Sequence, residues 1–125
     1  MSARVISSSL GLGFIAVGVL GFVPGQDIVS SQGIFKVDFE HNLVHLISGL
    51  LLLLLPFVMG GKQTLLLVGV VYAAVATLGF LHPLDPTLIA GHIAVNEADR
   101  FLHVALAAIL LLAGLVFSNG HSHDA

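Results

Sequence analysis

Four stretches of the chain, Val5 to Val23, Leu43 to Met59, Thr64 to Leu81 and Phe101 to Phe117, contain no Asp, Glu, Lys or Arg. Each is close to the roughly 20 residues that a helix needs to cross about 30 Å of hydrocarbon at about 1.5 Å per residue. None alternates with period two as a barrel strand would, and an open sheet cannot satisfy its backbone in lipid. The sequence therefore predicts an all-α integral membrane bundle of four transmembrane helices in a single domain, residues 1–125, with residues 118–125 as a polar tail. The composition agrees, with 57% of residues hydrophobic and 9% charged, against about 45 to 50% and 25% in soluble domains. Arg4 followed by an apolar run also fits a signal peptide, but the run is long and no A-x-A site follows it, so it reads as a span.

Gly60 to Gln63 is the whole connection between the second and third stretches, a tight turn that makes them an antiparallel hairpin. The other connections are longer, opening with Pro24 and Gly25 and with His82, Pro83, Asp85 and Pro86. With four crossings, both long loops fall on one side of the membrane. Arg4 and Lys62 mark one side and Lys36 and Arg100 the other, so the positive-inside count ties. Because Arg4 adjoins the first span, the reading leans towards cytoplasmic termini. Four scattered basic residues and a net charge of -3 exclude nucleic acid as a partner. The lipid bilayer is the partner the sequence names; a second copy or another membrane protein stays open. The absence of cysteine excludes disulfides, thiolate metal sites and cysteine nucleophiles.

Slid against itself by 58 residues, the sequence matches without gaps. Gly11 to Phe22 lies over Gly69 to Phe80, Asp27 over Asp85, Gly33 over Gly91, Val37 over Val95 and His45 over His103. Shared greasy composition accounts for matched leucines but poorly for the aspartate, glycine and histidine. The preferred reading is a doubled two-helix unit, residues 5–59 and 64–117, whose copies run parallel about a pseudo-two-fold axis along the membrane normal. Matched residues should then face each other. Ser7, Gly11, Gly18 and Gly21, and Gly69, Tyr72, Ala76 and Gly79, form stripes expected to be packing faces, because close backbone approach holds helices together in lipid.

The polar groups collect where spans two and four open. Asp38, His41 and His45 share one helical face above Gly49; Asn96, Asp99 and His103 share another above Ala107; Asn42 lies beside the first set. Ionisable groups inside spans face the protein interior or water. The first reading is structural or interacting: Asp38 and Asn96 cap helices, the histidines bond between helices, and no cofactor is required. A second is a divalent metal held by His41, His45, Asp99 and His103, or haem between His45 and His103, since pairs four apart present two ligands to one ion. A third is a proton or ion pathway, against which spans one and three offer no ionisable relay. Ser7, Ser8 and Ser9 lie at the opposite end from the histidines, which speaks against covalent catalysis and against an enzyme. His82 and His92 are read as solvated loop residues, and His121, Ser122, His123 and Asp124 as a frayed tail.

The segment Gly21 to Gly25, the run from Phe35 through His41, Asn42 and His45 to Gly49, and Asn96 to Asp99 with Leu102 and His103 carry a resemblance covering nearly the whole chain. It resembles a family of small four-span bacterial membrane proteins, best represented in actinobacteria and known only as a domain of unknown function. The resemblance implies a bacterial origin and hence the cytoplasmic membrane, and it implies no activity. Arg100 stands where that family often carries a small polar residue.

Overall fold

The computed structural model describes residues 1–81, 88–89, 93–94 and 96–119. The expectations for His82, Asp85, Gly91, His92, Val95 and the tail from His121 to Asp124 fall outside the described residues. The elements run α1 (Ala3–Leu20), β1 (Val29–Ser30), β2 (Phe35–Lys36), α2 (Phe39–Leu54), α3 (Pro56–Met59), α4 (Gly61–Leu81), β3 (Leu88–Ile89), β4 (Ile93–Ala94) and α5 (Glu97–Val116). Four segments are long and apolar enough to span a membrane: Ala3–Leu20, Phe39–Met59, Gly61–Leu81 and Glu97–Val116. Their outer faces expose Leu12, Leu54, Phe57, Leu112 and many other large apolar side chains, a surface suited to lipid.

Ser2 starts α1, its hydroxyl accepting from the Val5 N–H. Gln26 closes the other end: its amide donates to the Leu20 carbonyl at 3.0 Å, while its oxygen accepts from the Ile28 and Val29 N–H groups. The two short strand pairs, β1–β2 parallel and β3–β4 antiparallel, lie in the long connections. Both strand pairs sit at one end of the bundle, where the Asn96 amide donates to the Ile34 carbonyl at 2.9 Å.

The second span is broken at Pro56, which has no N–H to offer the Leu52 carbonyl one turn earlier. The Ser7 hydroxyl of α1 takes that place, donating to the Leu52 oxygen at 2.6 Å in a fully buried contact. A carbonyl orphaned by proline inside hydrocarbon is thus satisfied from the neighbouring helix.

The turn between spans two and three is shorter than Gly60 to Gln63. It is Gly60 alone, at φ 95, and α4 begins at Gly61. Such a φ is open to glycine at no steric cost, so one residue reverses the chain. Lys62 and Gln63 belong to the first helical turn, and Asn119 from the end of α5 accepts the Lys62 N–H at 2.6 Å. The Lys62 ammonium in turn donates to the Gly114 and Leu115 carbonyls near the end of α5.

α1 packs along α2, and α4 along α5. Gly11 and Gly49 set the first contact: a Cβ on Gly11 would lie 2.8 Å from the Gly49 oxygen, and one on Gly49 would lie 2.7 Å from the Gly11 oxygen. Ser7, Gly11 and Gly18 are buried and Gly21 half-buried, as are Gly69, Tyr72, Ala76 and Gly79 on the buried face of α4. Ala3, Leu52, Leu65 and Leu110 are fully buried at the core. Between the α1–α2 and α4–α5 pairs, Gly61 lies against the backbone of Ala3 and Arg4, and the Phe14 and Tyr72 rings meet edge-on at 5.1 Å between centroids.

Ser7→Ala should lower stability by about 1 kcal/mol. In a Pro56→Ala background, where residue 56 regains its N–H, the same change should cost close to nothing; equal costs in both backgrounds, read from unfolding in detergent, would disprove the link. Gly11→Val should destabilise by about 1–3 kcal/mol through overpacking. Gly13→Ala, where a Cβ meets nothing within 4 Å, should be neutral or stabilising in the same measurement.

Candidate functional site

Two helix starts build the site. At α2 the Asp38 carboxylate accepts the His41 N–H at 2.8 Å. At α5 the Asn96 side chain accepts the Asp99 N–H while the Asp99 carboxylate accepts the Asn96 N–H, both at 2.9 Å, a reciprocal capping box. The caps fix the phase of each helix, turning His41, Asn42, His45, Ser48, Gly49 and Leu52 inward from α2, and Asp99, His103, Ala107 and Leu110 inward from α5.

Three imidazoles meet where these faces converge. Ring centroids of His41 and His45 are 4.6 Å apart, of His41 and His103 5.3 Å, and of His45 and His103 6.3 Å. One ligand atom from each ring lies within 4.8 Å of the others. The three side chains are 1%, 3% and 2% exposed. Among the described residues, neither ring nitrogen of His45 and not the Nδ1 of His103 has a hydrogen-bond partner. Such groups are costly to bury.

Aromatic rings form the floor. Phe14 stands edge-on to His45 and Tyr72 to His103, each at 6.1 Å between centroids. The Tyr72 hydroxyl donates to the Ser48 hydroxyl at 2.8 Å, and Ser48 donates on to the Val44 carbonyl at 2.7 Å. Tyr72 therefore presents its ring to the histidines, and its O–H turns aside.

Asp99 is buried, with Lys36 and His41 as its neighbours, but its carboxylate serves the capping box and it lies outside the three-histidine group. Asp38 and Asn96 stay at the half-buried helix starts. Asn42 packs where Gly21 leaves room: a Cβ on Gly21 would fall 1.8 Å from the Asn42 amide oxygen. Sequence reasoning passed over Phe14 and Ser48 and took Tyr72 for packing alone. Their signals were available: Phe14 and Tyr72 occupy matched positions in the 58-residue register, and Ser48 follows His45 by three on the same face.

Among the described residues the arrangement is a buried group of three imidazoles with the Asp99 carboxylate beside it. Comparisons with curated proteins and with solved structures return no match. One family model does match, over residues 4–116, a range containing all three histidines and nearly all of the four spans. The chain belongs to the family described as Domain of unknown function (DUF4383).

Proposed function

We propose that this membrane protein binds one transition-metal ion through His41, His45 and His103. The carrying observation is the convergence of three buried imidazoles to within 4.8 Å at one ligand atom each. Neutral imidazole is the donor that zinc, copper, iron and nickel accept. Around one tetrahedral ion with N–metal bonds of about 2.0 to 2.1 Å, the nitrogens would stand about 3.3 Å apart, so small side-chain rotations would close the set. Three protein ligands leave a fourth position open, the pattern of reactive sites more than of closed structural ones.

This reading ranks above the structural one because hydrogen-bonding glue requires partners, and both His45 nitrogens lack them among the described residues. It ranks above haem because the His41 ring stands close against both other rings, at 4.6 and 5.3 Å, where a macrocycle would need open space.

We propose further that the bundle arose by doubling of a hairpin. Residues 58 apart touch in three places: Ala3 with Gly61, Phe14 with Tyr72, and His45 with His103. The matched caps Asp38 and Asn96 have nearly the same backbone angles, φ -127 and -121, each with ψ -174. The strand pairs differ in direction, so the connections have diverged more than the helices. The same reading puts the protein in a bacterial cytoplasmic membrane with both termini inside, on the strength of the sequence motifs and of Arg4.

Metal analysis of untagged protein in detergent, with His121 and His123 replaced by Ala to silence the tail, tests the site. After loading with zinc, cobalt or copper and removal of excess, about one ion per chain should remain. His45→Ala and His103→Ala should each reduce retention at least tenfold, and Asp38→Asn should keep it. Retention unchanged by both histidine variants, or none with any of the ions, would refute the site.

A further inference from the structure

His45 borders more than the other histidines. A cavity of about 260 Å³ between α1 and α5 is lined by Leu10, Gly13, Phe14, Val17, His45 and Leu106, among others. A second, of about 220 Å³, shares Val17, His45 and Leu102 with it and continues towards the first connection. α1 and α5 make few direct contacts, unlike the tightly packed helices within each hairpin. Gly13 and Ser9 at the cavity's α1 wall are exposed, on a flank that faces hydrocarbon in a spanning helix.

Two independent observations point to a ligand. Neutral imidazole always carries one N–H, and at His45 that N–H has no acceptor among the described residues. The need persists when a metal occupies the other nitrogen, since metal-bound histidines ordinarily donate their remaining N–H. The second observation is Gly13. A mid-helix glycine is disfavoured relative to alanine, and Gly11 and Gly18 are explained by neighbours that a Cβ would strike. A Cβ on Gly13 meets nothing within 4 Å, so no neighbouring element requires glycine there. What its missing side chain does is widen the cleft.

We infer that this cleft binds a lipid-soluble quinone from the bilayer, its ring against Phe14 and one carbonyl accepting the His45 N–H. His45 is six residues into α2, about 9 Å along the helix, below the level of lipid ester carbonyls. An acceptor reaching it must belong to a molecule that dissolves in the hydrocarbon. A quinone is flat, uncharged and carries carbonyl acceptors, matching a cleft whose walls are apolar apart from that imidazole and Ser9, whose hydroxyl donates to the Val5 carbonyl. The inference stands with or without the metal, because either state leaves an N–H to satisfy.

The test uses the full chain in phosphatidylcholine nanodiscs, titrated with a short-tailed 1,4-naphthoquinone and compared with empty discs, with metal content measured on the same samples. The expected result is saturable binding near one per chain, and histidine-ring NMR shifts assigned to His45. Gly13→Phe should weaken binding at least tenfold while leaving metal content and helicity unchanged; Gly13→Val, a smaller plug, should weaken it less. His45→Ala should abolish binding. Uptake equal to that of empty discs, or binding that neither Gly13 variant changes, would overturn the inference. Quinone binding to protein that retains none of the loaded ions would sink the metal centre and spare the cleft; metal retention without quinone binding would do the reverse.

Discussion

Within a bilayer no water stands ready to satisfy a polar group, so each one must find its partner in the chain. Most of this structure follows from that. Pro56 orphans the Leu52 carbonyl, and the Ser7 hydroxyl of the adjacent helix answers it. Tyr72 is buried with its O–H donated to Ser48, whose own hydroxyl donates to the Val44 carbonyl. Asp38, Asn96 and Asp99 take up N–H groups at the helix starts. Among the described residues, both ring nitrogens of His45, the His103 Nδ1, the Asn42 Oδ1 and the Arg100 Nε are buried without a hydrogen-bond partner, and the imidazoles among them lie together. A cluster of buried groups that the chain leaves partly unpartnered is where an external ligand has most to offer.

The way the α1–α2 and α4–α5 pairs meet gives the imidazoles their geometry. Small residues bring α1 onto α2 until the Gly11 and Gly49 backbones nearly touch, and lipid supplies no hydrophobic drive that would substitute for such contact. Between the α1–α2 and α4–α5 pairs, Gly61 lies on the Ala3 and Arg4 backbone and Phe14 meets Tyr72, and the imidazoles of His45 and His103 stand against those two rings. The looser seam between α1 and α5 gives the pocket a side facing the membrane, so the cluster is shielded from water yet adjoins a cleft towards lipid.

The spans were legible in the sequence because the membrane requirement is crude: length and the absence of charge suffice. Their starts were less so. The second and fourth begin earlier than hydropathy suggests, at Phe39 and Glu97, because capping by Asp38 and Asn96 carries the helix into polar sequence. The Gly60 turn looked four residues long because Lys62 and Gln63 are polar, yet Asn119, remote in sequence, caps them into α4. For the site, helical spacing placed His41 and His45 on one face. It could not tell that His103 would stand nearer to His41 than to His45, nor that Asp99 would be occupied by its own helix cap. Those depend on the crossing of two helices, which no local pattern encodes.

Whether the imidazoles truly share one pocket can be seen directly by solid-state NMR of histidine-labelled protein in bilayers, with rings assigned through single His→Gln variants. Through-space cross-peaks should join the His41, His45 and His103 rings into one set. A His45 ring that correlates with lipid acyl chains and with neither His41 nor His103 would contradict the centre.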